Sequence, residues 1–215
     1  MAQLTIYGSP LSTYVRTVRM VCEEKGIAYE LVPAAPHSPE IDRLHPFGRV
    51  PAMTHGDFVL YESAAIARYL DESFAGPALR PKDARARARM EQWIGVAGDY
   101  LYGDVIRRVV LQYVFAKGGK PDRATIDAAL PNIRHELGVL DRAYGAKPYI
   151  LGDEVSLADL FIAPIVFYLG RAPEGPALLR PHAGVRRAMA AIAARPSFER
   201  TAPPLPPQGL PVFST

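Results

Sequence analysis

Glu62-Ser63 is a polar step just ahead of Ala64, Ala65, Ile66, Tyr69 and Leu70, whose spacing makes an apolar helical face. A helix N-terminus carries unpaired backbone N–H groups and the positive end of the helix dipole. Such a step can receive a ligand's carboxylate on the N–H groups and its amine on Glu62. From these residues alone the plainer reading is the stronger one: Ser63 caps the helix and Glu62 is solvated. A second set of polar groups stands near the N-terminus. There Tyr7, Ser9 and Ser12, with Thr13 alongside, precede a helical pattern through Val15, Val18, Arg19 and Cys22, and Ser12 sits at its start. Ser12 as a helix cap and nothing more also fits. The single cysteine excludes an internal disulfide, and its phase with Val15 and Val18 favours a buried small side chain over a nucleophile. His37, His45, His55, His135 and His182 have no close metal-ligand spacing, so no metal site is expected.

The elements that position these groups follow from local pattern. Leu4 to Tyr7 is β-rich and ends at the turn Gly8-Ser9-Pro10. The helix from Ser12 stops near Gly26, and Tyr29 to Val32 is a second strand, giving a βαβ unit with parallel strands. Pro33 to Leu44 is proline-rich, with Ser38-Pro39-Glu40 as the cap and first turn of a short helix. After Val50-Pro51, at a strand start where proline is tolerated, Ala52-Met53-Thr54 and Phe58 to Tyr61 are strands around a His55-Gly56-Asp57 turn. The opening is therefore βαβ followed by ββα, a small mixed sheet of thioredoxin-like arrangement. Glu72 to Asp83, with two prolines and a glycine, has little periodicity and serves as a linker. Ala84 to Phe115 and Asp122 to Tyr144 carry recurring apolar faces, and Ser156-x-x-Asp159 opens the apolar helix Leu160 to Leu169 as a capping box. The expected class is α/β plus all-α: a first domain over 1–74, a linker over 75–83, and an all-helical domain over 84–215. Its proline-rich tail suits an extended strap over the protein's own surface better than an SH3-type ligand.

Pro46-Phe47-Gly48-Arg49-Val50-Pro51-Ala52, followed after a short hairpin by Glu62-Ser63-Ala64-Ala65-Ile66-Ala67-Arg68-Tyr69-Leu70, resembles the glutathione-binding segment of the cytosolic glutathione S-transferase family. The resemblance covers the whole chain, and this segment is its most specific part. It implies a cis Val50-Pro51 bond, a Val50 backbone that pairs with the cysteine of the tripeptide, and a Glu62-Ser63 step that holds the γ-glutamyl end. His37 and Arg49 stand where the family places groups on the glycyl carboxylate, although Lys is common at the first position and Gln or Lys at the second. The Ser156 to Asp159 motif resembles the capping box of the family's second domain and has a folding role.

A transferase of this kind needs the glutathione thiol as thiolate, and a free thiol has a pKa of roughly 8.5. A hydroxyl donating to the sulfur is worth roughly 1.5–3 kcal/mol against about 1.36 per pKa unit, so one donor aided by a helix N-terminus brings the thiol near neutral. Tyr7, Ser9 and Ser12 compete for that role. The Tyr-Gly-x-x-x-Ser spacing resembles serine-type enzymes in a phi-, theta- and beta-like pattern, the plant phi class being closest, with a bacterial source expected, and the longer Gly-Ser-Pro-Leu turn favours Ser12. Leu11, Tyr14, Tyr100 and Arg107, with Tyr102 and Tyr113 nearby, are expected to line a pocket for a small hydrophobic electrophile. Phe47, on the loop before Pro51, stands where some relatives insert an aromatic into a partner subunit, so a homodimer is expected. Glutathione-dependent thiol reduction or isomerisation, and a non-catalytic ligand-binding role, are the alternatives.

Composition sets the remaining bounds. The chain has 215 residues, 49% hydrophobic and 22% charged, ordinary for a globular protein and enough for a small domain followed by a larger one. No apolar run approaches the roughly 20 residues of a membrane span, and the N-terminus lacks a secretory pattern, so a cytoplasmic protein is expected. The net charge of +3 is spread along the chain. Its densest basic run, Arg80 to Arg89, has the character of a solvated helix start, and neither nucleic acid nor membrane is expected as a partner.

Overall fold

The computed structural model describes residues 3–116, 118, 120–206 and 209–210. The chain divides into two compact units, Met1–Pro81 with Ala194–Pro204, and Lys82–Ala193 with Leu205–Thr215.

The first unit is built on a sheet of four strands in the order β2-β1-β3-β4. β1 (Leu4–Tyr7) buries Leu4, Thr5 and Ile6. It leads into helix α1 (Thr13–Lys25), whose Val15, Val18, Val21 and Cys22 are buried at helical spacing. Gly26 closes α1 in the left-handed conformation, φ 67°, and its N–H caps the carbonyls of Cys22 and Glu23. β2 (Glu30–Val32) then pairs with β1 in parallel. α2 (Pro39–Leu44) starts at the cap Ser38, which accepts the Ile41 N–H. β3 (Ala52–His55) runs antiparallel to β1, and β4 (Phe58–Tyr61) antiparallel to β3. The hairpin is one residue tighter than its sequence pattern suggests: His55 pairs with Phe58, which leaves Gly56-Asp57 as the turn. α3 (Ser63–Ser73) follows and takes in Glu72 and Ser73, the start of the segment of little periodicity.

A second feature of this unit has no local signal. The segment Ala194–Pro204, bearing the short helix α10 (Pro196–Arg200), packs on α1. Arg16, 1% exposed, lies 3.9 Å under the Phe198 ring and donates to the Phe198 carbonyl at 2.9 Å. Arg195 Nε donates to Glu24 at 2.7 Å, and Arg19 reaches the carbonyls of Arg200 and Thr201. α1 is thereby held, from its first turn at Arg16 to Glu24 near its end, by groups about 180 residues downstream. The linker is tied as well. Asp71 pairs with Lys25 at 3.2 Å and Arg80 at 3.0 Å and accepts the Leu79 N–H at 2.9 Å.

The second unit is helical throughout its described residues apart from loops and an isolated bridge, Tyr149 to Gly152. α4 (Ala84–Val96), capped by Asp83, continues without a break into a π-helical stretch, Ala97–Val110, and then α5 (Leu111–Val114). α6 (Arg123–Tyr144) starts at the cap Asp122 and packs on the π-helical stretch, as does α7 (Leu157–Arg171). α8 (Gly175–Leu179) and α9 (Ala183–Ala193) complete the bundle. The expected capping box is present: Asp159 accepts the Ser156 N–H at 3.0 Å, the Ser156 hydroxyl at 2.7 Å and the Ile150 N–H at 2.8 Å. Burial pushes the Asp159 carboxyl up, and these donors work against that shift. The architecture is the α/β plus all-α class read from the sequence, a thioredoxin-like sheet domain followed by helices. In the tail, Arg171 holds the carbonyls of Gly209 and Pro206, while 207, 208 and 211–215 lie outside the described residues. No helix among the described residues is long and apolar enough to cross a membrane.

Candidate active site

The register of the sheet brings the chemistry-bearing residues to one end of it. β1 pairs Tyr7 with Ala52, and β3 pairs Ala52 with Tyr61. The end of β1, the start of β3 and the end of β4 therefore lie side by side, and Val50-Pro51, Glu62-Ser63 and the N-terminus of α1 all leave from that edge. β2 ends there too, where the Gly8 N–H donates to Val32 O at 3.0 Å. Gly8 is where the turn meets this edge. At φ 152°, a Cβ on it would lie 2.5 Å from Val15 Cγ2 and 3.1 Å from Val50 Cβ, so only glycine lets β1, α1 and Val50 close on one another.

Ser12 is the N-cap of α1, with φ −71° and ψ 130°, and its Oγ accepts the Val15 N–H at 3.4 Å. A hydroxyl that accepts through a lone pair still has its own hydrogen to donate. It is half-buried, at the positive end of a helix of 13 residues. Ser9 Oγ accepts the Leu11 N–H at 3.2 Å, so its hydroxyl serves the turn ahead of the helix. Cys22 is fully buried and burial pushes its thiol well above its ordinary range, which removes it as a nucleophile.

Val50-Pro51 is cis, the conformation the family resemblance implies. Pro51 is buried and Val50 half-buried. At the other side of the site the structure corrects the cap assignment. Ser63 is the first residue of α3 and not its N-cap; Glu62 is the cap, its carbonyl accepting the Ile66 N–H at 2.9 Å, and it makes no side-chain cap hydrogen bond. The local signal favoured serine because a Ser hydroxyl is the better cap. The β4 pairing through Tyr61 instead brings Glu62 to the corner with φ 69° and ψ 111°. A non-glycine residue in that region is costly and tends to occur where a site requires it. The turn leaves the Glu62 side chain 66% exposed.

His37 and Arg49 belong to the same edge. The His37 N–H donates to Gly48 O at 2.9 Å, which places it one residue from Arg49, and both are exposed. His37 also has a left-handed φ of 59°, with its Nδ1 3.7 Å from Asp42. Phe47, 66% exposed, projects from this loop. Of the electrophile-pocket residues, Leu11 and Tyr14 are half-buried at the start of α1 in the first unit. Tyr100 and Arg107 are exposed on the π-helical stretch of the second, where Arg107 lies 5.5 Å from the Tyr102 ring centroid. Sequence reasoning passed over one residue of this edge. His45, counted there only among histidines without metal spacing, is 2% exposed with its ring 4.6 Å from that of Tyr61 and its Nε2 3.9 Å from Glu62 Oε1. Its one sequence signal is its place at the head of His-Pro-Phe-Gly-Arg-Val-Pro.

Comparison with known proteins bears on the fold and the family. Residues 6–78 match the model of the glutathione S-transferase N-terminal domain, and residues 123–195 that of the C-terminal domain. Glutathione S-transferase 3 of Zea mays is 37% identical over 96% of this chain and 97% of its own length. A solved glutathione S-transferase III in apo form superposes with a TM-score of 0.83 at 35% identity, covering 96% of this chain and 99% of that one. A theta-class enzyme from Xanthomonas axonopodis, solved with glutathione bound, superposes with a TM-score of 0.83 at 29% identity over 94% and 97% of the two chains. The bacterial attribution drawn from the sequence does not stand, since the maize enzyme is nearer than the bacterial one. With a cis-proline edge, a helix-capping serine and an acidic α3 corner gathered on a thioredoxin-like sheet, and near full-length identity of 37% to a named transferase, this chain belongs to the glutathione S-transferase family of enzymes.

Proposed function

We propose that the protein transfers glutathione to a small hydrophobic electrophile, with Ser12 holding the glutathione sulfur as thiolate. The observation that supports this most directly is the convergence of the Ser12 N-cap, Val50-Pro51 and Glu62-Ser63 at one sheet edge. In this reading the Val50 backbone pairs with the cysteinyl unit of the tripeptide. The γ-glutamyl end meets Glu62 through its ammonium and the first N–H groups of α3 through its carboxylate. His37 and Arg49 take the glycyl carboxylate. The Ser12 O–H donates to the sulfur while the α1 dipole favours negative charge there. The thiolate then attacks the electrophilic carbon, forming the C–S bond; a leaving group departs in a displacement, or a proton is taken up from water in an addition. Leu11 and Tyr14, at the turn into α1, border the electrophile's side. The protein works without a metal, as a cytoplasmic homodimer with Phe47 at the subunit contact. Residues 1–74 are the glutathione-binding domain, 75–83 the linker and 84–215 the helical domain.

The test is the ultraviolet thiolate absorbance of bound glutathione across pH in wild type and Ser12→Ala. Wild type is expected to titrate well below the free thiol, and the variant to move back up by about 1–2 pKa units, the worth of one charge-assisted hydrogen bond. Binding with an unshifted thiol in both proteins would leave a ligand-binding role, and turnover of a glutathione mixed disulfide would favour thiol reduction.

A further inference from the structure

His45 is a buried histidine whose two ring nitrogens face different groups. It ends α2 with φ −134° and ψ 109°, its N–H donating to Ile41 O at 2.8 Å, while its carbonyl accepts the Gly48 N–H at 2.9 Å. These backbone bonds fix the Cα. The ring lies 4.6 Å from Tyr61 at 36° and 6.1 Å from Phe47 at 75°, so its plane is set by two aromatic neighbours. Nδ1 accepts the Phe47 N–H at 3.2 Å. Burial, with the Arg49 charge acting in the same direction, holds the imidazole below its ordinary value despite the opposing charge of Glu62. A neutral imidazole has one donor and one acceptor nitrogen, and with Nδ1 committed as acceptor the hydrogen is assigned to Nε2. That nitrogen faces Glu62 Oε1 at 3.9 Å.

We propose that His45 is a positioning residue for glutathione, its Nε2–H orienting the Glu62 carboxylate toward the γ-glutamyl ammonium. The inference rests on the glutathione site described above and deepens it. Glu62 occupies a left-handed corner with a largely exposed side chain and no capping bond of its own. A flexible carboxylate in water samples several rotamers, and the one that meets the ligand has to be selected. A fixed donor behind it makes that selection in advance, and the 3.9 Å separation closes to a hydrogen bond when ligand draws the carboxylate in. A neutral donor suits the task. A Lys or Arg there would pair with Glu62 and compete with the ammonium, whereas an imidazole N–H orients the carboxylate and leaves its charge for the ligand.

The deciding experiment is a double-mutant cycle read as the glutathione Kd by calorimetry, with wild type, His45→Phe, Glu62→Gln and the double variant. His45→Phe is expected to raise the Kd about tenfold when Glu62 is intact and by less than about twofold in the Glu62→Gln background, the non-additivity of residues acting through one another. Cysteinylglycine, which lacks the γ-glutamyl unit, should bind wild type and His45→Phe alike. His45→Gln, whose amide N–H reaches toward the Nε2 position, should stay within about threefold of wild type. If the Phe ring is not accommodated, His45→Leu replaces it in the same cycle. Equal losses with and without the Glu62→Gln substitution, or an equal loss for cysteinylglycine, would make His45 a scaffold for the loop and overturn the inference. If wild type binds no glutathione, the underlying function falls and this inference with it; glutathione binding with additive losses overturns this inference alone.

Discussion

Ser12, Ser9 and Tyr7 all stand within one turn of the same edge, and their surroundings separate them. Ser9 caps the Leu11 N–H and Tyr7 lies in a strand, while Ser12 joins its hydroxyl to the N-terminus of α1. The distinction has a direct consequence. Ser9→Ala and Tyr7→Phe should each leave the pKa of bound glutathione within about half a unit of wild type, since neither removes a charge-assisted bond to sulfur worth roughly 1.5–3 kcal/mol. Thiolate absorbance of the two variants, titrated beside Ser12→Ala, checks this, and a rise in Tyr7→Phe matching that of Ser12→Ala would transfer the role to tyrosine. At this scale the cis bond and the helix start of the candidate site were legible in the sequence, because Val50-Pro51 and Glu62-Ser63 form a motif. His45 was not. The role proposed for it rests on the direction of its two nitrogens, and nothing in the spacing of isolated histidines reports direction.

At the scale of elements, two buried polar clusters govern how the helices stay in place. Lys25 of α1 and Asp71 of α3 pair with side chains 2% and 5% exposed, and Asp71 also holds Arg80 and the Leu79 N–H. Removing one partner of such a pair strands the other, so Asp71→Ala is expected to lower unfolding stability by about 3–5 kcal/mol, measured as a shift in denaturant midpoint. In the second unit, burial and the neighbouring Asp104 push the Glu136 carboxyl of α6 up to about 7, and Glu136 Oε2 is buried without a hydrogen-bond partner among the described residues. Arg108 holds Asp104 at 2.7 Å on the π-helical stretch. A carboxyl whose folded pKa lies above its ordinary 4.5 binds its proton more tightly in the folded state. Its contribution to stability is therefore present below about 4.5 and lost as pH rises through about 7. The melting temperature of wild type should fall between these values relative to Glu136→Gln, and parallel curves for the two proteins would count against the coupling. Helical periodicity marked α6 and the segment around it. A π-helical register and a carboxyl facing a carboxyl depend on how two helices pack, which periodicity does not carry.

For the whole molecule, the homodimer proposed above puts the exposed Phe47 at the subunit contact. Phe47→Ala should shift sedimentation equilibrium from dimer toward monomer, since a buried aromatic anchor is worth on the order of 2 kcal/mol or more at an interface; an unchanged dimer would remove this residue from the contact. What the sequence settled by itself was local and periodic. The strand-helix-strand opening, the hairpin, the Ser12 and Ser156 starts and the helical second half each follow from residues within one or two turns of each other, where spacing maps directly onto a face or a cap. Only the tertiary structure decided what depends on residues far apart. The cap of α3 moved from Ser63 to Glu62 because strand pairing, and not cap preference, sets the corner. Arg16 found its partner in Phe198, 182 positions away, and the segment Ala194–Pro204 joined the first unit. Local propensity is a preference of a fraction of a kcal/mol to about 1 kcal/mol per residue, and long-range packing overrides it whenever a buried charge or a sheet register is at stake.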